Sequence, residues 1–181
     1  SDQGPGVHER KWEPDSLAYV MRLAHAYWQT TGDISCFDQN WREAMRLALS
    51  TLRDQQRFNG PGPYRFQRLT TNPIDTLANE GRGWPANPNG MVAGAFRGSD
   101  DACVYPFNLP TQFLLVSALA GLVDVADAIG ERLIAAVASD LRDQIGAALA
   151  QVGNLYPVWP YEIDGFGNAL FTDDPNVPNL L

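Results

Sequence analysis

Apolar side chains recur at helical spacing in four stretches of the chain. The first stretch, Leu17–Thr31, is stopped by Gly32, and the second runs from Asp38 to about Gln56. Aspartate is a residue type that favours the N-cap of a helix, which suits the start of the second stretch. Because only residues 32–37 separate the two stretches, the pattern predicts an antiparallel helical hairpin.

Two further helices are predicted after a long connection. One runs from Thr111 to about Ile129, and its first half is apolar on nearly every side, as expected of a helix that is buried all round. The other runs from Glu131 to Val152 and ends at Gly153. Gly130 alone separates them, so a single kinked helix is the alternative to the second hairpin that we favour.

The connections between the predicted helices alternate between short and long. The segment after the first hairpin, Arg57–Leu109, is long for a compact domain, and connections of such length are usually functional. Short strands are predicted at Tyr64–Arg68 and Leu155–Trp159, but no regular β-α-β alternation occurs. This order of elements predicts an all-α fold, a toroid of helical hairpins with long functional loops gathered on one face.

Two hairpins are too few to close a toroid of this kind. Pro178 suits the first turn of a further helix, in which Leu180 and Leu181 would be the first apolar residues. We therefore expect residues 1–181 to form an incomplete domain, the middle portion of a larger protein.

The composition of the chain argues against several classes of partner. Of its 181 residues, 45% are hydrophobic and 19% are charged, which is typical of one globular domain. The formal net charge of −8 argues against a nucleic-acid partner, which would require a basic face. The best candidate for a membrane span, Leu109–Leu122, is too short, so no membrane association is expected.

Residue types that hold metal ions are scarce in this sequence. The only histidines are His8 and His25, and the only cysteines are Cys36 and Cys103, too few for a zinc site. Two buried thiols are favoured over one disulfide. No metal and no other cofactor is expected.

Two acidic clusters lie in the predicted loops, among glycine, proline and aromatic residues. The first is the segment Phe96–Cys103, which contains Asp100 and Asp101. The second contains four acidic residues: Glu162, Asp164, Asp173 and Asp174. Carboxylates beside aromatic rings in loops on a rigid scaffold favour a sugar or another hydroxylated ligand.

Each acidic cluster also has a second interpretation. The pair Asp100-Asp101 could serve only to cap a turn or to face solvent. The pair Asp173-Asp174 could bind magnesium, as in enzymes that act on diphosphates, but Pro175 breaks the helix that would carry a third carboxylate. The magnesium interpretation is therefore disfavoured.

Charged residues beside aromatic rings form a third candidate group. A solvated face is the usual role of a charge run, and this interpretation is favoured for Lys11. Two interpretations stay open for Trp12 and Tyr64. They belong to a solvated face, or they stack on a sugar whose hydroxyl groups Arg10 or Arg65 binds.

Five motifs in sequence order give the chain a specific resemblance. They are Glu9–Glu13 with Asp15–Leu17, Pro63–Phe66, Asp75–Leu77, Phe96–Asp101, and Glu162–Gly165 through Asp173–Pro178. Together they resemble glycoside hydrolase family 125, the exo-acting α-1,6-mannosidases. The resemblance implies a partial (α/α)6 barrel, an inverting mechanism without a metal, and a mannose-containing oligosaccharide as the ligand.

The resemblance also implies roles for individual residues. Asp100 matches the general acid, whereas the general base is a glutamate downstream of this chain, so the chain alone is expected to be inactive. The remaining candidates, expected to line or brace the mannose pocket, are Arg10, Arg65, Arg97, Asp101, Glu162, Asp164, Asn168, Asp173 and Asp174. Where the family usually has Trp-Ser, this chain has Ala93-Gly94, which keeps a non-catalytic carbohydrate-binding or degenerate barrel protein open as the alternative.

Overall fold

The structure is a computed structural model that describes residue 5, residues 9–172 and residues 178–179. Its helices are α1 (Pro14–Thr31), α2 (Gln39–Gln55), a 3-10 turn (Pro73–Asp75), the single turn α3 (Ala78–Gly81), α4 (Leu109–Ala128) and α5 (Arg132–Leu155). Its strands are β1 (Phe107–Asn108), β2 (Glu162–Ile163) and β3 (Ala169–Leu170), which form one antiparallel sheet in that order.

The four predicted helices are present, and side-chain caps mark the starts of α2 and α4. Asp38 caps α2 as predicted, since its carboxylate accepts a hydrogen bond from the backbone amide of Trp41 at 2.9 Å. Asn108 caps α4 in the same way through the amide of Thr111 at 3.1 Å, which places the start of α4 slightly earlier than predicted. Proline suits the first turn of a helix, and α1 accordingly begins at Pro14.

The second hairpin is confirmed, and one glycine explains it. Gly130 has a φ of 74°, a left-handed conformation that glycine adopts without the steric cost of a Cβ atom. The amide of Glu131 then donates to the carbonyl of Ala126 at 2.8 Å, which closes the end of α4. The chain reverses here, and α5 packs back along α4.

The apolar core lies around α4. Leu115, Leu119 and Leu122 on this helix are completely buried. The first two helices do not form the closely packed pair that was predicted, because α1 packs mainly against α4 and α2 packs against α5. Close approach of α1 to α4 depends on Gly121, where an added Cβ atom would lie 2.8 Å from Cγ of His25.

Helix α4 is longer than the apolar run considered in the sequence. It extends to Ala128 and is long and apolar enough to cross a membrane by length and composition, with a mean hydropathy of 1.6. However, 67% of its most apolar window is buried inside the protein. Core helices of soluble proteins have the same properties, so the packing of α4 is sufficient to explain its composition.

The fold is mostly helical, and it also contains a small sheet that the sequence did not predict. The two predicted strands are wrong. Segment 64–68 is irregular and is tied to α3 through the amide of Phe66, which donates to the carbonyl of Gly81 at 2.9 Å. Leu155 is the last residue of α5, and the segment after it is also irregular as far as residue 159. Strands of two residues carry no hydrophobic period that a sequence could display.

The long connections meet at one end of the helices. The indole of Trp12, just before α1, donates to the carbonyl of Ala93 at 3.0 Å, and the amide of Ala93 donates to Gln55 at the end of α2 at 2.9 Å. The amide of Leu109 at the start of α4 donates to Tyr161, beyond α5, at 2.9 Å. We call this end the loop face; it consists of residues 9–13, 56–108 and 156–172.

Candidate active site

The first acidic cluster forms a tight loop whose tip is Asp100. Phe96 and Ala102 pair as an isolated antiparallel bridge, and the amide of Arg97 donates to the carbonyl of Asp101 at 2.8 Å. Asp100 has a φ of 72°, a left-handed conformation that is uncommon for residues other than glycine. Its side chain is 61% exposed. Backbone strain of this kind is frequent at functional sites, where the surrounding structure enforces it.

Lys11 lies beneath this loop. Its ammonium group donates to the backbone carbonyl of Asp100 at 2.7 Å and lies 3.5 Å from the Oδ1 atom of the same residue. It also lies 5.0 Å from the centre of the Phe96 ring. The side chain of Lys11 is only 5% exposed. The prediction that Lys11 belongs to a solvated face is therefore wrong, because the carboxylates and the ring around it replace water.

Glu13 adds a second carboxyl group beside Asp100. Burial, and next a hydrogen bond between the carboxyl groups of Glu13 and Asp100, raise the pKa of Glu13 to about 7. The hydroxyl of Ser16 donates to Oε2 of Glu13 at 3.1 Å and opposes this shift. Glu13 is thus placed to hold a proton at a pH at which an ordinary glutamate is ionised.

A buried ion pair connects the two acidic clusters. Nε of Arg97 donates to Oε1 of Glu162 at 2.6 Å, and the other oxygen of Glu162 accepts from the amides of Val104 at 2.9 Å and Tyr105 at 3.0 Å. Glu162 is completely buried. Burial disfavours the charged form of Arg97, but the hydrogen bond and the charge of Glu162 outweigh it and raise the pKa of Arg97. Both oxygens of Glu162 are thus occupied by groups of the chain.

Asp164 and Asn168 form the turn between β2 and β3. Oδ1 of Asp164 accepts from the amides of Phe166 at 2.8 Å and Asn168 at 3.1 Å, and Oδ2 accepts from the side-chain amide of Asn168 at 2.6 Å. Burial of Asp164 favours the neutral form, but these hydrogen bonds prevail and lower its pKa. The two residues therefore shape the backbone that follows Glu162.

The remaining candidate residues lie at the border of this group. The hydroxyl of Ser99 donates to Oδ2 of Asp101 at 3.3 Å. Arg10 and Arg65 are exposed on the loop face. Asp173 and Asp174 lie outside the described residues, and so does the proposed magnesium site there.

Trp12 and Tyr64 are brought together, as fixed parts of the loop face. The amide of Trp12 donates to the hydroxyl of Tyr64 at 2.9 Å, and this hydroxyl donates to the carbonyl of Arg10 at 2.7 Å. The carbonyl of Trp12 accepts from the amide of Phe96 at 3.0 Å. These bonds anchor segment 9–13 against the acidic loop.

The described residues contain no group of three or more histidine, cysteine, aspartate or glutamate side chains that could hold a metal ion. Cys36 and Cys103 are both free thiols. Cys103 is buried as predicted, and its pKa is raised mainly by burial. Cys36 is exposed, so the prediction of two buried thiols is wrong for this residue.

Sequence reasoning did not select Lys11 or Glu13 as site residues. Lys11 is separated from Asp100 by 89 positions in the chain. The only available signal was the motif Glu9–Glu13, in which charges flank Trp12. The contact between Lys11 and Asp100 arises from the fold.

The model of one protein family matches residues 2–181 of the chain, and this family is described as metal-independent alpha-mannosidase (GH125). The chain belongs to this family. The match spans all but the first residue, so the resemblance found in five separate motifs is confirmed for the chain as a whole.

The chain spans less than half the length of two proteins that it matches. The chain is 36% identical to the meiotically up-regulated gene 157 protein of Schizosaccharomyces pombe, over 97% of the chain and 37% of the yeast protein. It is 34% identical to a metal-independent α-mannosidase of Streptococcus pneumoniae, solved in a non-productive substrate complex with α-1,6-mannobiose. That match has a TM-score of 0.89 and covers 96% of this chain and 42% of the bacterial one.

Proposed function

We propose that this chain forms the acid-bearing part of an inverting exo-α-1,6-mannosidase. Its substrate would be the non-reducing terminal mannose of mannan or N-glycan oligosaccharides. The observation that carries the proposal is Asp100, exposed at the tip of a strained loop on the loop face of a chain that belongs to GH125. The bound α-1,6-mannobiose of the pneumococcal relative supports the choice of substrate.

In this mechanism Asp100 is the general acid. Its carboxylic acid gives a proton to the glycosidic oxygen as the bond from that oxygen to the anomeric carbon breaks. A general base on the opposite side of the sugar takes a proton from the attacking water, with the two carboxyl groups roughly 6.5–9.5 Å apart. Glu162 is not a candidate for this base, because both of its oxygens are engaged by the chain. We place the base in a downstream segment of a longer catalytic domain.

The surrounding residues would keep the acid in place and shape the mannose pocket. The ion pair between Arg97 and Glu162 holds the acidic loop in place, and Asp164 with Asn168 fixes the turn between β2 and β3. Asp101 beside the acid could accept a hydrogen bond from a sugar hydroxyl. The exposed arginines at positions 10 and 65, and the acidic residues at 173 and 174, are further candidates for sugar contacts. We place these parts in an (α/α)6 barrel, to which α1, α2, α4 and α5 would contribute.

The test compares the 181-residue chain with a version extended along its gene to the length of the GH125 relatives. The extended protein is expected to hydrolyse α-1,6-mannobiose and to release β-mannose first by NMR, whereas the 181-residue chain is expected to be inactive. Asp100→Asn should lower kcat by about 10²–10⁴-fold, the usual contribution of a general acid. Asp101→Asn, the matched control, should cost less.

Three outcomes would contradict the proposal in different ways. If the 181-residue chain itself hydrolyses mannobiose and Asp100→Asn abolishes this, the base lies within the chain. If Asp101→Asn is the more severe change, the acid is misassigned. If the extended protein binds mannobiose without turnover, it is a carbohydrate-binding protein.

A further inference from the structure

A buried arginine of the loop face lacks a group that balances its charge. Arg57 is only 9% exposed, and its Nε atom is buried without a hydrogen-bond partner among the described residues. Its side chain also forms no ion pair within that part of the chain. A guanidinium stays charged in proteins, and a buried charge without a partner is costly. Arg57 therefore calls for an explanation outside the packing of the fold.

The backbone at Arg57 is unusual as well. Helix α2 ends at Gln55 and Gln56 is its C-cap, so Arg57 is the first residue beyond the helix. Its φ is 61°, a left-handed conformation for which glycine is the usual residue at this position. An arginine bears a steric cost here that glycine avoids. A strained backbone and a buried charge thus coincide at one residue, as is typical of functional sites.

Arg57 lines a cleft of about 390 Å³ in the loop face. The walls of this cleft also include Arg82, Trp84 and Pro85, and all of its lining residues belong to segment 56–108. Trp84 is 52% exposed, so much of its indole ring is open to a ligand. Clefts of this volume accommodate small organic molecules.

The charges at the cleft favour a negatively charged ligand. Arg57 and Arg82 form a positive site in a chain whose net charge is −8. Nη1 of Arg82 donates to the carbonyl of Gly62 at 3.2 Å, which holds this side chain without neutralising it. Burial lowers the pKa of Arg57, and the charge of Arg82 acts in the same direction. An anion offsets both effects, and a phosphate or carboxylate accepts two hydrogen bonds from one guanidinium.

We propose that this cleft binds an acidic sugar, whose phosphate or carboxylate group pairs with Arg57 and whose ring packs against Trp84. Arg82 supplies a second positive charge for the same group. Tryptophan offers a large, rigid apolar surface for the ring. The choice of a sugar as the carrier rests on the proposed function, whereas the acidic group rests on Arg57. The site is distinct from the acid, because no residue of the loop Phe96–Cys103 lines the cleft.

The first experiment measures binding to the 181-residue chain by NMR and requires no catalysis. The indole N–H signal of Trp84, assigned with Trp84→Phe, is followed during titration with mannose 6-phosphate, mannuronate, mannose and inorganic phosphate. At least one of the two acidic sugars should bind about tenfold or more tightly than mannose or phosphate alone, and the tighter one identifies the acidic group. Equal affinity for mannose overturns the inference, and so does equal affinity for inorganic phosphate.

Substitutions at Arg57 test where the acidic group binds. Arg57→Met should weaken binding of the acidic sugar about tenfold or more, since it removes a charged hydrogen-bond donor. Arg57→Lys should weaken it less, because lysine keeps the charge but loses the paired hydrogen bonds. Arg22→Met is the matched control: it removes the same charge from an exposed position on α1 outside the cleft. Equal weakening by Arg57→Met and Arg22→Met would assign binding to net charge and overturn the inference.

A stability measurement tests whether Arg57 serves the fold instead. An unpaired buried charge opposes folding, so Arg57→Met should leave the midpoint of urea denaturation unchanged or raise it. The tighter acidic sugar should raise the midpoint of the parent chain but not that of Arg57→Met. A positive charge is also favourable at the C-terminus of a helix. A lower midpoint in Arg57→Met would show that Arg57 serves to stabilise α2, and the inference would fall.

The extended protein provides the last test. If it no longer binds the acidic sugar that the 181-residue chain binds, another segment of the longer protein occupies the cleft and the inference is overturned. The two proposals fail separately. An extended protein that binds the acidic sugar through Arg57 but does not hydrolyse mannobiose contradicts the proposed function alone. One that hydrolyses mannobiose through Asp100 but binds neither acidic sugar contradicts the cleft alone.

Discussion

The helical frame and the loop face of this chain are held together by different forces. In the frame, formed by α1, α2, α4 and α5, a large cluster of buried apolar side chains surrounds α4. In the loop face, the contacts that fix the candidate acid are hydrogen bonds and ion pairs, among them Lys11 with Asp100 and Arg97 with Glu162. Apolar contacts are non-directional and tolerate adjustment, whereas buried charges fix geometry and are costly to leave unpaired.

Among the substitutions that test this difference, Glu162→Gln is expected to change the free energy of unfolding most. The change leaves the Arg97 guanidinium, only 16% exposed, without its charged partner, and it sets an amide against the backbone amides of Val104 and Tyr105. We expect the free energy of unfolding, measured by urea denaturation, to fall by about 3–5 kcal/mol.

The matched control for Glu162→Gln is Glu131→Gln in the frame. The carboxylate of Glu131 also pairs with arginines, Arg42 at 2.8 Å and Arg46 at 2.7 Å. The side chains of these arginines are 31% and 39% exposed, so water still reaches them. A loss of at most about 1 kcal/mol is expected there. Equal losses at the two glutamates would mean that charge contributes no more to the loop face than to the frame.

Leu119→Ala tests the frame. Leu119 is completely buried in α4, so its truncation removes apolar contacts and leaves a cavity. We expect a loss of about 3 kcal/mol of unfolding free energy, within the range of buried leucine-to-alanine changes. Leu133→Ala on α5 is the control, because Leu133 is 66% exposed and should cost less than about 1 kcal/mol. A similar cost at both positions would contradict the central place of α4 in the core.

These two regions also differ in what the sequence predicts. The frame follows from periodicity: the stripes of apolar residues predict all four long helices, with ends displaced by a few positions. The loop face has no period. Its short strands, the left-handed Asp100 and the burial of Lys11 depend on contacts between segments far apart in the chain, which local patterns do not encode. The acidic pattern selected the pair Asp100-Asp101, and only the resemblance to GH125 chose Asp100 as the acid.

A pattern that selects acidic residues does not define what those residues do. The acidic residues of the second cluster suggested ligand contacts. In the structure, Glu162 binds Arg97 and two backbone amides, and Asp164 binds the turn that follows. A carboxylate that braces a loop and one that contacts a sugar have the same sequence signal, and only the positions of their partners separate them.

The pH dependence of stability gives a smaller effect, specific to the loop face. The pKa of Glu13 is raised from 4.5 to about 7 in the folded chain, so the folded chain binds more protons than the unfolded chain between these values. This contribution to the unfolding free energy is complete below pH 4.5 and is lost as the pH rises through 7. We expect about 1–2 kcal/mol after allowance for solvent screening at this half-buried group.

The control for the pH effect is Glu13→Gln. Denaturation curves of the parent and of this variant should diverge as the pH rises from 4.5 to 7. Some slope should remain in the variant, since burial also raises the pKa of Asp15. Parallel curves for parent and variant would show that Glu13 holds no extra proton in the folded chain.

The smallest effect is expected at an exposed ion pair of the frame. Arg53 on α2 and Asp140 on α5 are 2.8 Å apart, a distance as short as in many buried pairs, but their side chains are 46% and 50% exposed. Water and salt screen such a pair, and ordering two mobile side chains offsets most of the attraction. Asp140→Asn should therefore change the unfolding free energy by less than about 0.5 kcal/mol.

This result is to be compared with that of Glu162→Gln, because the Arg53–Asp140 and Arg97–Glu162 ion pairs differ little in length, 2.8 Å and 2.6 Å. If the unfolding free energy falls little in Asp140→Asn and much in Glu162→Gln, the difference is due to burial. A loss at Asp140 above about 1 kcal/mol that disappears in 1 M salt would show that the frame, too, depends on its charges.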